Sequence, residues 1–392
     1  MLKRLLSHDY PRSRILAVAL VAIAIALAFA PFLFPGSKAL GVAAKMLVFI
    51  LLVASYDLLL GYTGIVSFAH TMFFGIGAYG IAIASTRLGE GFAAVCIGVA
   101  AALALSLVLS LVIGLFSLRV KAIFYAMITL AVAAAFQTLA SQLSDITGGE
   151  DGLTFKNPLL FSPSFEPFES EVLGLMLDGK VFSYYLLFGV AALLFLLLLR
   201  IVNSPFGRVL QAIRENDFRA EAIGYRTVVY RTLSNVLSAL FATVAGALLA
   251  IWLRYTGPDT TLSFEIMLDI LLIVVIGGMG TIYGAVVGSV RARAELPAGP
   301  AEGGGRRARR RAGARATGVA RPLAAVAGRA VRAVGLLLPG RRRGTAAAGR
   351  AAPARMSRRA DCAARPGREA RRRLPGAAQP AAAQRNAASA AA

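Results

Sequence analysis

Apolar runs of about twenty residues recur along the first 290 positions, separated by short polar breaks. They fall at 15–34, 43–60, 66–85, 92–116, 122–141, 182–201, 231–253 and 264–290. An α-helix rises about 1.5 Å per residue, so about 20 residues cross a hydrocarbon core about 30 Å thick. The pattern predicts an all-α, polytopic membrane helix bundle with about eight spans. The last run is interrupted at Gly277-Gly278-Met279-Gly280, so it is expected to be one helix and the beginning of another. The first run continues to Phe34 with no small-residue cleavage site and is expected to be a retained span rather than a signal peptide.

One break differs from the rest. Residues 203–230 are polar and charge-rich, yet Phe206, Val209, Leu210 and Ile213 recur at the spacing of one helix face. Arg208, Gln211, Arg214 and Glu215 fall on the other face. A short amphipathic helix projecting from a membrane bundle into water offers a docking surface.

Basic residues in short loops set the expected orientation. Lys3, Arg4, Arg12 and Arg14 precede the first span, Arg119 and Lys121 sit in a tight turn, and residues 203–230 carry Arg208, Arg214, Arg219 and Arg226. Eight crossings from a cytoplasmic N-terminus (residues 1–14) put all three on the inner side. The loop 142–181 then falls outside, with only Lys156 and Lys180 as basic residues.

Within the bundle region, residues 15–290, glycines punctuate residues 61–80: Gly61, Gly64, Gly75, Gly77 and Gly80. Glycine lets helices approach closely and permits broken backbone inside protein. Gly64, Ser67, His70 and Gly75 are candidates for a solute pathway, with helix packing as the competing reading. Asp57 is a fifth candidate, because an ionisable group inside an apolar run is costly unless it faces protein or water. Glu265 and Asp269 are expected to reach an outer aqueous vestibule. A second glycine-rich break at 275–288 hints at an internal repeat, since paired broken helices flank the substrate site in many transporters.

Composition narrows the class. The 392 residues are 57% hydrophobic with a mean hydropathy of +0.69, which excludes an ordinary soluble domain. The net charge of +22 is concentrated at one end. Residues 1–290 carry 18 Lys+Arg against 16 Asp+Glu, whereas residues 291–392 carry 24 Arg against 4 acids. Those last 102 residues include 34 Ala and contain no Phe, Tyr, Trp, Ile or Lys. A GC-rich gene translated out of frame reads this way, so 291–392 is expected to be a disordered, frameshifted tail replacing a native last span. A natural basic arm is the alternative, and it has no aromatic residue to stack on bases. An apolar helix in another reading frame beyond codon 290 would establish the frameshift; its absence would exclude it. With two cysteines, two separated histidines and no HExxH or GxSxG motif, the chain offers no metal cluster or nucleophilic site. It is expected not to be an enzyme.

GYTGIVSFAHTMFFGIGAY, FYAMITLAVAAAFQTLA, TGGEDGLT, SPFGRVLQAIRENDFRAEAIGY and GGMGTIYGAVVG follow one another in the order and spacing of LivM-type permeases. The chain resembles that family over roughly residues 40–290. These are bacterial inner-membrane subunits of branched-chain amino acid ABC importers. The resemblance implies a second permease subunit of LivH type, two ATP-binding subunits that hold the ATP, and a periplasmic solute-binding protein. It implies no cofactor on this chain and no nucleic-acid partner. Arg214, Glu215, Asn216, Ala220, Glu221, Ala222 and Gly224 match the family's coupling segment and are the expected ATPase contacts. Ile65 departs from the family, where a polar residue usually follows Gly64, and so does the Arg/Ala tail. Related permeases carry urea or short-chain amides, so those solutes stay open, as does an ATP-independent secondary transporter using Asp57 as its coupling charge.

Overall fold

A computed structural model describes residues 14–33, 37–117, 122–156, 158 and 179–295. The N-terminal basic residues Lys3, Arg4 and Arg12, the turn with Arg119 and Lys121, most of the acidic loop 142–181 and the tail from 296 onward lie outside them. The described chain is helical almost throughout. In order it forms α1 (Arg14–Ala28), α2 (Ala30–Leu33), α3 (Ser37–Asp57), a π-helical turn (Leu58–Thr63), α4 (His70–Leu88), α5 (Phe92–Ser117) and α6 (Ala122–Gln142). The loop after α6 adds α7 (Ser144–Thr147), a 3-10 turn (Gly149–Asp151) and β1 (Leu153–Thr154). Next come α8 (Gly179–Val202), α9 (Pro205–Glu215), α10 (Asp217–Ala222), α11 (Thr227–Leu253) and β2 (Tyr255–Thr256). The last elements are α12 (Pro258–Thr261), α13 (Phe264–Gly277) and α14 (Ile282–Glu295).

Six helical stretches among the described residues are long and apolar enough to cross a membrane: Ala39–Thr63, Phe92–Leu115, Ile123–Gln142, Gly179–Val202, Thr227–Leu253 and Pro258–Gly277. This is fewer than the eight expected, for two physical reasons. The run 15–34 divides. Pro31 has no N–H to donate to the carbonyl of Leu27, and the helix stops at Ala28. The Tyr184 hydroxyl donates to that freed carbonyl at 2.5 Å, and the Tyr185 hydroxyl donates to the Ala28 carbonyl at 3.2 Å. The 15 residues of α1 rise only about 22 Å, short of the hydrocarbon thickness. The run 66–85 becomes α4, whose apolar residues are diluted by His70, several glycines and Arg87. Its first ten residues are all buried or nearly so, so the neighbouring helices supply its surroundings.

The core forms where α4 crosses α11. A Cβ on Gly77 would lie 1.9 Å from the Thr243 carbonyl oxygen, and one on Gly246 would lie 1.8 Å from that of Phe74. The two backbones touch, which only glycine allows. Serine and threonine stitch the same face of α11 to its neighbours. Ser238 Oγ donates to the Ser55 carbonyl at 2.6 Å, Thr243 Oγ1 to Ser106 Oγ at 2.7 Å, and Asn235 Nδ2 to the Ser110 carbonyl at 3.0 Å. Such bonds average about 0.6 kcal/mol each in membrane proteins, so their number matters more than any one.

At the far end of α11, Arg254 takes a left-handed conformation (φ 58°) and closes the helix, its N–H donating to the Ala250 carbonyl at 2.8 Å. β2 follows and pairs antiparallel with β1, Leu153 opposite Thr256 and Thr154 opposite Tyr255. This two-stranded ribbon ties the loop after α6 to α11. The loop is ordered further by Thr147, whose Oγ1 reaches the carbonyls of Ala140 (2.6 Å) and Leu143 (2.7 Å). The expected break at 277–280 is present. α13 ends at Gly277, and Gly278 and Gly280 take φ of 101° and 85° before α14 begins. α14 continues past Val290 to Glu295.

Candidate functional site

The polar break forms two short helices rather than one. Pro205 opens α9, where a missing N–H costs nothing. Leu210 and Ile213 are fully buried, and Phe206 stacks on Tyr230 at 5.8 Å. This is the apolar face that the spacing predicts. Asn216 is extended and stops α9; its side chain then caps α10 by accepting from the Arg219 N–H at 3.1 Å. One residue therefore ends α9 and caps α10. Asp217 pairs with Arg231 at 2.5 Å, and Glu221 accepts from Thr227 Oγ1 at 2.7 Å. Both acids fasten α10 to the base of α11. Ala220 is buried beneath, Glu215 and Ala222 are exposed, and Gly224 (φ 98°) turns the chain toward α11.

Two large apolar residues point the other way. Phe218 is 84% exposed and Ile223 76% exposed. The spacing argument centred on α9 and missed both. Their signal was an aromatic and a branched residue within an otherwise charged stretch.

Arg214 turns inward. Its Nη1 donates to the Gly61 carbonyl, and its Cγ would lie 3.1 Å from a Cβ on Gly64. The same Nη1 would lie 2.8 Å from a Cβ on Gly280. Asp57 completes the arrangement, accepting the Gly280 N–H at Oδ1 (2.9 Å) while almost entirely buried. A Cβ on Gly61 would meet Asp57 Oδ1 at 2.1 Å and the Gly280 nitrogen at 2.5 Å. The amphipathic helix, the π-helical turn and the second glycine break thus converge on one knot. Gly64, at φ 77°, caps the π-helical turn. Such turns concentrate at functional sites, and irregular backbone at membrane depth needs protein around it.

The other sequence-derived pathway candidates do not join this knot. His70 is buried with Nε2 2.9 Å from Ser55 Oγ, its ring 5.2 Å from that of Tyr56. Ser67 is equally buried and accepts from the Ala69 N–H at 3.4 Å. Gly75 lies further along α4, against Leu262. Glu265 and Asp269 are exposed. Among the described residues no group of three His, Cys, Asp or Glu could hold a metal ion.

A bundle of apolar helices, with an amphipathic helix locked onto its broken segments, is the architecture of a multi-pass membrane permease. The chain belongs to the family described as branched-chain amino acid transport system / permease component, which matches residues 38–291. It is 25% identical over 291 residues to the high-affinity branched-chain amino acid transport system permease protein LivM of Escherichia coli (strain K12), covering 71% of this chain and 67% of that relative. The LivM protein of Salmonella typhimurium matches to the same extent. The probable branched-chain amino acid transport permease protein LivM of Methanocaldococcus jannaschii is 27% identical over 192 residues, 48% of this chain and 52% of the relative. No solved structure matches.

Proposed function

We propose that this chain is the LivM-type half of an ABC importer that carries branched-chain amino acids inward across the bacterial inner membrane, with its N-terminus in the cytoplasm. Its partners in this reading are a LivH-type permease, two ATP-binding subunits and a periplasmic solute-binding protein. The observation that carries the reading is the knot at Arg214, which joins the water-facing helix to both broken segments of the bundle. A helix that only decorated the surface would have no reason to hold the interior backbone.

The ATPase contact is made by the outward side of the elbow: Phe218 and Ile223 as apolar anchors, with Glu215 and Arg219 at the rim. Closure of the ATPase dimer shifts α9 and α10 about the extended Asn216. Arg214 carries that shift to Gly61 and Gly280, and the segments they belong to change between outward and inward access. The permease makes and breaks no covalent bond. Differential grip of the ATPase on the two states supplies the free energy.

Co-purification and uptake test this. The full chain should bring ATPase subunits with it from native membranes, and vesicles holding that complex should take up labelled leucine only with ATP, in preference to labelled urea. Leucine uptake by the chain without a nucleotide hydrolase would overturn the mechanism. Urea uptake without leucine uptake would overturn the cargo and leave the coupling intact.

A further inference from the structure

A cavity of about 530 Å³ opens between α4, α5 and α6, away from the knot. Gly75, Tyr79, Ile83 and Arg87 of α4 form one wall, with Ala101 of α5 and Leu139 of α6 opposite. Its volume falls in the range of small-ligand sites, about 300–1,000 Å³. Its shape and chemistry narrow the occupant. Gly75 and Arg87 are twelve residues apart on one helix, about 18 Å at the helical rise. The lining is apolar along that length, and the exposed side chains of Leu88, Ile97 and Leu105 form its lips.

The single charge in the lining is Arg87, at one end. No carboxylate lies within ion-pair reach of it among the described residues; its guanidinium touches only the Asp145 carbonyl, at 3.5 Å. The Tyr79 hydroxyl, part of the same wall, is buried with no hydrogen-bond partner. A free amino acid is too short for this groove, and the charged group in the lining, Arg87, would repel its ammonium group. A long hydrocarbon chain carrying an anion at one end matches the groove on both counts.

We propose that this groove is a binding site for one acyl chain of an anionic glycerophospholipid, with its phosphate held by Arg87. Phosphatidylglycerol is the favoured class, since a headgroup with its own ammonium competes for the phosphate. The site is independent of the transport reading: it needs a bilayer, and neither ATP nor solute.

The test uses full chain purified from membranes and exchanged into nanodiscs holding dioleoyl phosphatidylglycerol in a phosphatidylcholine background. Retained lipid is read by native mass spectrometry after detergent washing. The wild-type chain should keep phosphatidylglycerol. Arg87→Gln should weaken retention about five-fold, the worth of one basic side chain at an anionic surface, and Arg87→Lys should restore most of it. Ala101→Phe, which adds bulk at an exposed position of the groove wall, should displace the lipid without unfolding the chain. Equal retention by wild type, Arg87→Gln and Ala101→Phe would overturn the proposal. So would loss of the lipid from wild type whenever a second permease subunit co-purifies, because the groove would then be a subunit interface.

Discussion

Replacing Arg214 by alanine removes one charge-assisted hydrogen bond, from Nη1 to the Gly61 carbonyl, and the methylenes packed against Gly64. Bonds to charged groups contribute about 1.5–3 kcal/mol. Arg214 is exposed to water, so the lower end applies, about 1.5 kcal/mol, or roughly ten-fold in an equilibrium. The bond joins two bodies that are each held by other contacts: α9 by Leu210 and Ile213, and the π-helical turn by Thr63, whose Oγ1 meets Ser234 Oγ at 2.8 Å. Neither body should unfold when it is lost. What should fall is the yield of transport per ATP. Leucine uptake and phosphate release, measured in the same proteoliposomes, should separate about ten-fold in Arg214→Ala while assembly is unchanged. Arg214→Lys keeps a donor and should recover part of the loss. An unchanged ratio in a normally assembled Arg214→Ala transporter would refute the transmission route.

Asp57 allows a cleaner dissection. Asp57→Asn keeps an acceptor for the Gly280 N–H, whereas Asp57→Ala leaves that donor unmet at a cost of about 1–3 kcal/mol; thermal unfolding should therefore rank wild type and Asn above Ala. Phe218→Glu, with or without Ile223→Glu, should abolish ATPase co-purification without lowering the melting temperature, because both side chains are free of the bundle. Gly77→Ala and Gly246→Ala each drive a methyl group into facing backbone, so either should prevent a monodisperse peak in fluorescence-detected gel filtration. Tyr184→Phe removes the donor to the Leu27 carbonyl and should destabilise the chain by about 1 kcal/mol, seen as a lower melting temperature.

The amphipathic face of α9 was fully legible, because Phe206, Val209, Leu210 and Ile213 are close in sequence and one helical period relates them. The break at 277–280 was legible for the same reason: glycines mark it locally. The break in the first apolar run was hard to read because the run looks continuous through Pro31; Pro31 ends the helix, and the carbonyl it frees is answered by Tyr184, 157 residues away. The knot was out of reach for the same cause. Asp57 stood out as a buried charge and both glycine breaks stood out as breaks, yet Asp57 and Gly280 are 223 residues apart, and no periodicity spans that distance. Arg214 was grouped with the ATPase contacts, and it is exposed, as a cation on a polar helix face ordinarily is. The bare backbone at Gly61, Gly64 and Gly280 is what lets its guanidinium also reach the Gly61 carbonyl, and residues so far apart in the chain show no shared signal.

α11 is a single uninterrupted rod of 27 residues, about 40 Å from end to end. One tip is rooted in the elbow through Thr227 and Arg231, and the other is clipped to the β-ribbon. A lever of this kind cannot be biased in one direction only. If nucleotide state at the elbow alters how the ribbon is held, then a load placed on the ribbon alters nucleotide affinity by the same free energy.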